Sequence, residues 1–192
     1  MNKLYVDIET VRKPELEELY KESYPKAAIE KMALSPVFAQ IACICALRDG
    51  GKFEHGAWED GGEKEMLRHF WAWVDTLGHP TLVTYNGKTF DYPFIVFRSW
   101  HHKVPPTMTW DTKRYSWDNH RDLRLILFHG DISAKGRFHH IISLQFGHQL
   151  EADKDKIWEL WNNKEYSKIM NDSCWPDVEW LKKLDESLEG YY

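Results

Sequence analysis

The chain is 192 residues long, 43% hydrophobic and 29% charged, with a formal net charge of −5. Its length predicts a single domain over residues 1–192 with a substantial core, and its composition excludes a disordered or membrane-embedded chain. No apolar run approaches a membrane span, no signal-peptide pattern opens the chain, and the negative net charge argues against indiscriminate binding to nucleic acid.

Taken in chain order, Lys3 to Glu9 reads as a strand in which Leu4, Val6 and Ile8 alternate with Tyr5, Asp7 and Glu9. The alternation turns two carboxylates to one side, where they repel unless a cation lies between them. Pro14 to Met32 reads as helical, rich in Glu, Leu, Lys and Ala, with Pro25 interrupting it. Phe38 to Leu47 reads as a buried strand, Asp49-Gly50-Gly51 as a turn, and Lys52 to Trp58 as the returning arm of a hairpin. Met66, Leu67, Phe70, Trp73, Val74 and Leu77 recur at helical spacing. Thr81 to Tyr85 is a further strand ending at Asn86-Gly87, where the glycine is expected to permit a turn that other residues make only at a cost. At Phe90-Asp91 the chain enters a helix with Pro93 in its first turn. Val104 to Lys135 reads as irregular apart from a helical Asp122 to Phe128. Short helices follow near Ile141 to Phe146, Lys156 to Trp161 and Glu165 to Ser173, and a last one begins about Pro176. Strands with interleaved helices predict a mixed α/β domain.

The cysteines, Cys43, Cys45 and Cys174, are odd in number, which predicts buried reduced thiols in a cytoplasmic protein and not a disulfide framework. Charge is unevenly spread. Arg98, Lys103, Lys113, Arg114, Arg121, Arg124, Lys135 and Arg137 face only Asp111, Asp118, Asp122 and Asp131 across the same stretch, and aromatic residues lie between them. From Glu151 onward acids outnumber lysines. A basic, aromatic-laced stretch suits a polyanion with stackable rings, and a solvated charged face explains it nearly as well. By charge density, Arg114, Arg121 and Arg124 are the candidate phosphate contacts. No H-x-x-x-H or H-E-x-x-H spacing occurs, which excludes a histidine-based zinc hydrolase.

Three segments carry the chemistry: Asp7-Ile8-Glu9-Thr10, Asn86-Gly87-Lys88-Thr89-Phe90-Asp91 and Cys174-Trp175-Pro176-Asp177-Val178. In order and spacing they resemble the signature motifs of the DEDD 3′-5′ exonucleases, which share the ribonuclease-H-like fold. More narrowly, the chain resembles the predicted exonucleases related to the proofreading domain of family-B DNA polymerases. Ala33-Leu34-Ser35-Pro36, Lys113-Arg114-Tyr115, His120-Arg121-Asp122-Leu123 and Ile157-Trp158-Glu159-Leu160 agree in order and character.

The resemblance implies a ribonuclease-H-like mixed β-sheet flanked by helices. It implies hydrolysis of phosphodiester bonds at the 3′ ends of single-stranded DNA or RNA, with two Mg²⁺ or Mn²⁺ ions about 3.5–4 Å apart. Asp7 would bridge both ions, Glu9 and Asp177 would complete the first site, and Asp91 would serve the second through water. Asn86, Phe90 and Thr10 would help seat the terminal nucleotide. Plainer readings stand beside these: Asp91 as a helix N-cap, Asp177 as a first-turn acid, Phe90 as an aromatic holding the turn and Thr10 as a β-former.

The pattern breaks in one place. In these families a Tyr four residues before the last Asp, or a His five before it, orients or deprotonates the attacking water. Ser173 and Asp172 stand there. Pro176 is expected to kink or restart the helix just before Asp177, separating Ser173 from it. Three explanations compete: the ions alone suffice, another base such as His139 or His140 substitutes, or the chain is a catalytically weakened nuclease-fold module that binds nucleic acid or a protein partner.

Overall fold

The computed structural model describes residues 2–150 and 154–191. Met1 and Tyr192, the ends of the expected domain, and Glu151, from which the acid-rich stretch is counted, lie outside the described residues. Five strands form one sheet: β1 (Lys3–Arg12), β2 (Ala39–Arg48), β3 (Gly51–Gly56), β4 (Thr81–Thr84) and β5 (His120–Asp122). Their order is β3-β2-β1-β4-β5, with β1, β2 and β3 antiparallel in turn and β4 and β5 parallel to β1. The helices are α1 (Glu17–Ser23), α2 (Gly62–Asp75), α3 (Asp91–His102), α4 (Leu123–Leu127), α5 (Phe138–Phe146), α6 (Lys154–Asn162), α7 (Tyr166–Lys168) and α8 (Trp175–Ser187).

Alternation along β1 sorts its side chains into two cores. Leu4, Val6 and Ile8 join Met66, Leu67, Phe70 and Trp71 of α2 and Phe94 and Ile95 of α3. Tyr5 and Val11 join Ile157 and Leu160 of α6 and Val178, Leu181 and Leu184 of α8. Covering both faces with apolar area, at about 25 cal/mol per Å² buried, is what keeps the mixed sheet in place. No helix among the described residues is long and apolar enough to cross a membrane.

Several expectations are corrected. The Pro14 to Met32 segment is not one helix: 3-10 turns at Pro14–Leu16 and Ile29–Leu34 flank the short α1. Pro25 lacks the N–H that would continue α1. Strand β5 falls inside the stretch read as irregular, because three residues are too few to show a period. Gly87 has no special backbone; the left-handed residue of that turn is Asn86, at φ 70°. What Gly87 supplies is space, since a Cβ there would sit 2.3 Å from Thr84 Oγ1.

Candidate active site

Asp7 and Glu9 lie on β1 opposite Cys45 and Cys43 of β2. Just beyond, the register shifts so that Thr10 pairs with Ile41, leaving Ala42 as the extra residue of a bulge. Bulges bend and twist a strand and re-aim side chains next to them. The bulge therefore sits directly beside Glu9. Asp177 enters from the first turn of α8, where the helix dipole favours an acid. One carboxylate oxygen from each of Asp7, Glu9 and Asp177 lies within 4.8 Å of the others. Hard oxygen donors converging from two elements suit a divalent cation.

Asp91, buried, is the first residue of α3, and Phe90 occupies the N-cap position. Asp91 is thus not the cap itself. It lines the same cavity as the other three acids, a space of about 1280 Å³. Buried Asp122 holds the turn that presents Asp91. Its Oδ1 accepts from Asn86 N (2.9 Å) and Arg124 N (3.1 Å), and its Oδ2 accepts from Lys88 N (3.0 Å). The same side chain caps α4 through Arg124 N and Leu125 N. Burial pushes the Asp122 carboxyl above its ordinary value, and these backbone N–H groups oppose the shift. An Asp just before an apolar helix is a legible cap in sequence, but its tie to Asn86 is not.

Between α7 and α8 the backbone forms a π-helical turn, Ile169–Cys174, and Pro176 falls in the first turn of α8. Where the hydrogen-bond ladder changes register, the missing proline N–H costs little. The expected separation of Ser173 from Asp177 does not occur, since both line the cavity. The Ser173 hydroxyl donates to Glu9 Oε1. Asp172 is exposed and is not among the lining residues. Behind Asp7, the buried Cys174 thiol approaches the Asp7 carbonyl oxygen at 3.5 Å, and Cys43, Cys45 and Cys174 are all free. Burial pushes the Cys45 and Cys174 thiols up.

The residues expected to contact substrate divide. Asn86 and Phe90 line the cavity, with Phe90 also packed against Phe94 at a ring separation of 5.5 Å. Thr10 does not line it; its hydroxyl donates to Ala33 O at 2.7 Å. Arg124 lines it, but its guanidinium donates to Asn86 Oδ1, Ile132 O and Ala134 O. Arg114 donates to Gly130 O and lies outside the lining. Arg121 is also outside, bound to buried Asp185 at 3.0 Å. The basic stretch thus splits into side chains spent on the fold and others that face the cavity. Sequence reading missed the second set: Lys135 and Arg137, which line the cavity along with His139 and His140. Tyr85 lines it as well, with its hydroxyl on Gly136 O at 2.8 Å and its pKa pushed up to about 12 by burial.

The fold and site define an α/β domain with an acid-lined cavity beside the central strand of a mixed sheet. The chain belongs to the family of predicted 3′-5′ exonucleases related to the exonuclease domain of PolB, whose model matches residues 33–179. No curated protein matches it. Among solved structures it is similar to the family B DNA polymerase from the hyperthermophilic archaeon Pyrobaculum calidifontis, with a TM-score of 0.73 at 19% identity. That match covers 98% of this chain and 24% of the polymerase, so the chain spans about a quarter of its length. The likeness shows the fold, a ribonuclease-H-like mixed sheet flanked by helices.

Proposed function

We propose that the chain is a metal-dependent 3′-5′ exonuclease that removes nucleotides from single-stranded DNA or RNA ends, using two Mg²⁺ or Mn²⁺ ions. The observation that carries this reading is the convergence of Asp7, Glu9 and Asp177 within 4.8 Å on a cavity that Asp91 also lines. Asp7, Glu9 and Asp177 would hold one ion, and Asp7 with Asp91 the other. When bound, such ions supply Lewis-acid stabilisation of the phosphoryl oxygens and lower the pKa of a coordinated water. The chain's own residues position the rest. Ser173 orients Glu9, Asp122 fixes the turn that presents Asp91, and Phe90 offers an apolar surface to the terminal base.

Neither Ser173 nor Tyr85 serves as a general base in this reading. Ser173 spends its proton on Glu9, and Tyr85 stays protonated on Gly136 O at neutral pH. The same Ser173 favours the second reading, a catalytically weakened module that holds nucleic acid without cutting it. Incubation with 5′-labelled single-stranded DNA and RNA, in Mg²⁺, Mn²⁺ or chelator, separates the two. The exonuclease reading expects a metal-dependent ladder shortening from the 3′ end. Binding without cleavage in either metal would support the module instead.

A further inference from the structure

We infer that Lys135 and Arg137 form a phosphate-binding wall of the cavity that the four acids also line, engaging internucleotide phosphates of a single strand; this rests on the proposed nuclease function. Both side chains are exposed, and both line the cavity. Among the described residues neither has an ion-pair or hydrogen-bond partner for its charged group. That sets them apart from Arg98, Arg121 and Arg124, whose guanidinium groups are bound to Glu63, to Asp185 and to Asn86 with two carbonyls. A cation already spent on the fold has little left for a ligand, whereas an unspent one at a cavity edge releases counterions when a phosphate arrives.

The wall is held in place by its surroundings. Tyr85 donates to Gly136 O, between the two cations, and Arg124 grips Ile132 O and Ala134 O just before them. Arg137 is also the N-cap of α5, and Phe138, the first residue of that helix, lines the cavity too. The dipole at that end adds to the attraction for an anion. At about 1280 Å³ the cavity exceeds the roughly 300–1,000 Å³ of ordinary small-ligand pockets. It has room for more than the scissile nucleotide. Leu34 and Ile132, about half exposed at 51% and 56%, line the same space and offer apolar surface to unpaired bases. Cations for phosphates beside apolar surface for bases select a single-stranded oligonucleotide over a bare polyphosphate.

The test is equilibrium binding of a fluorescent twelve-nucleotide oligothymidylate in chelator at several salt concentrations. The wild type is compared with Lys135→Ala/Arg137→Ala and with a control, Lys21→Ala/Lys64→Ala, whose positions do not line the cavity. Losing two phosphate contacts should flatten the slope of log K against log salt by about 1.4. The control should keep the wild-type slope. In parallel, the wall variant should lose kcat/KM on the oligonucleotide. It should still cleave the p-nitrophenyl ester of thymidine 5′-monophosphate, which has no further phosphate to reach the wall. A wild-type slope in the wall variant would overturn the inference. If the wild type cleaved neither substrate, the proposed hydrolase activity would fail, and the slope would still decide the wall.

Discussion

The Ser173 hydroxyl hydrogen-bonds Glu9 Oε1 across 164 positions of sequence. It joins the π-helical turn before α8 to the strand that carries Asp7 and Glu9. Ser173 occupies the place where the resemblance to the DEDD exonucleases leads to the expectation of a tyrosine. The short side chain reaches a carboxylate of the acid cluster and holds it, so the position is structurally coupled to the site.

Ser173→Ala should therefore act on metal affinity. Partners that orient metal ligands typically contribute about 10- to 100-fold in affinity or activity. The variant should need about 10-fold more Mn²⁺ for half-maximal cleavage and keep most of its maximal rate. An unchanged Mn²⁺ requirement with a collapsed maximal rate would contradict this and make Ser173 a direct participant.

Arg121 should behave as a structural residue. Asp185 is fully buried and receives Arg121 at 3.0 Å, Lys3 at 2.6 Å and the Tyr5 hydroxyl at 3.1 Å. Because Lys3 and Tyr5 stay on Asp185, removing Arg121 forfeits a charge-assisted hydrogen bond worth about 1.5–3 kcal/mol and does not leave the acid unpaired. Arg121→Ala should lose stability on that order in urea unfolding, with the salt dependence of oligonucleotide binding unchanged. A stable variant with a flattened salt slope would return Arg121 to the substrate.

The difference between Arg121 and Arg137 shows where sequence reading stops. Both lie in the basic stretch and charge density marks only Arg121, yet packing sets Arg121 against a buried acid and Arg137 on the cavity. The alternation of β1 and the periodicity of α2 were legible because each is a local pattern with a local cause, whereas the three acidic motifs stood out only by their order and spacing together. Strand β5 was not, because three residues carry no period and its pairing with β4 is a long-range event. Asp122 was legible as the start of a helix but not as the anchor of the Asn86 turn, since that bond spans 36 positions. The π-helical turn was likewise hidden: Pro176 signalled a break in the ladder but not that Ser173 would still reach the acids.

Stability should fall on mild acidification through His120. The ring is fully buried, with Nδ1 donating to Asp111 O and Nε2 accepting from the Thr84 hydroxyl. Burial, reinforced by Lys88, lowers its pKa from 6.5 to about 3. The unfolded chain then binds a proton below about pH 6.5 that the native state refuses until near pH 3. Stability is full above pH 6.5 and is lost as pH falls through that window, by at most about 1.4 kcal/mol per pH unit. His120→Asn, which keeps a donor near Nδ1, should flatten the pH 7 to 5 part of the curve measured by urea unfolding. Parallel curves for the two proteins would refute the assignment.

If the clustered acids serve metal-dependent cleavage, Asp7→Ala is the decisive variant. Two measurements on one preparation suffice: release of nucleotides from a single-stranded 3′ end in Mn²⁺, and thermal unfolding in chelator. Removing one of several crowded carboxylates relieves repulsion when no cation is present. Cleavage should disappear while the melting temperature stays the same or rises. Full cleavage by Asp7→Ala would contradict that role for the acids.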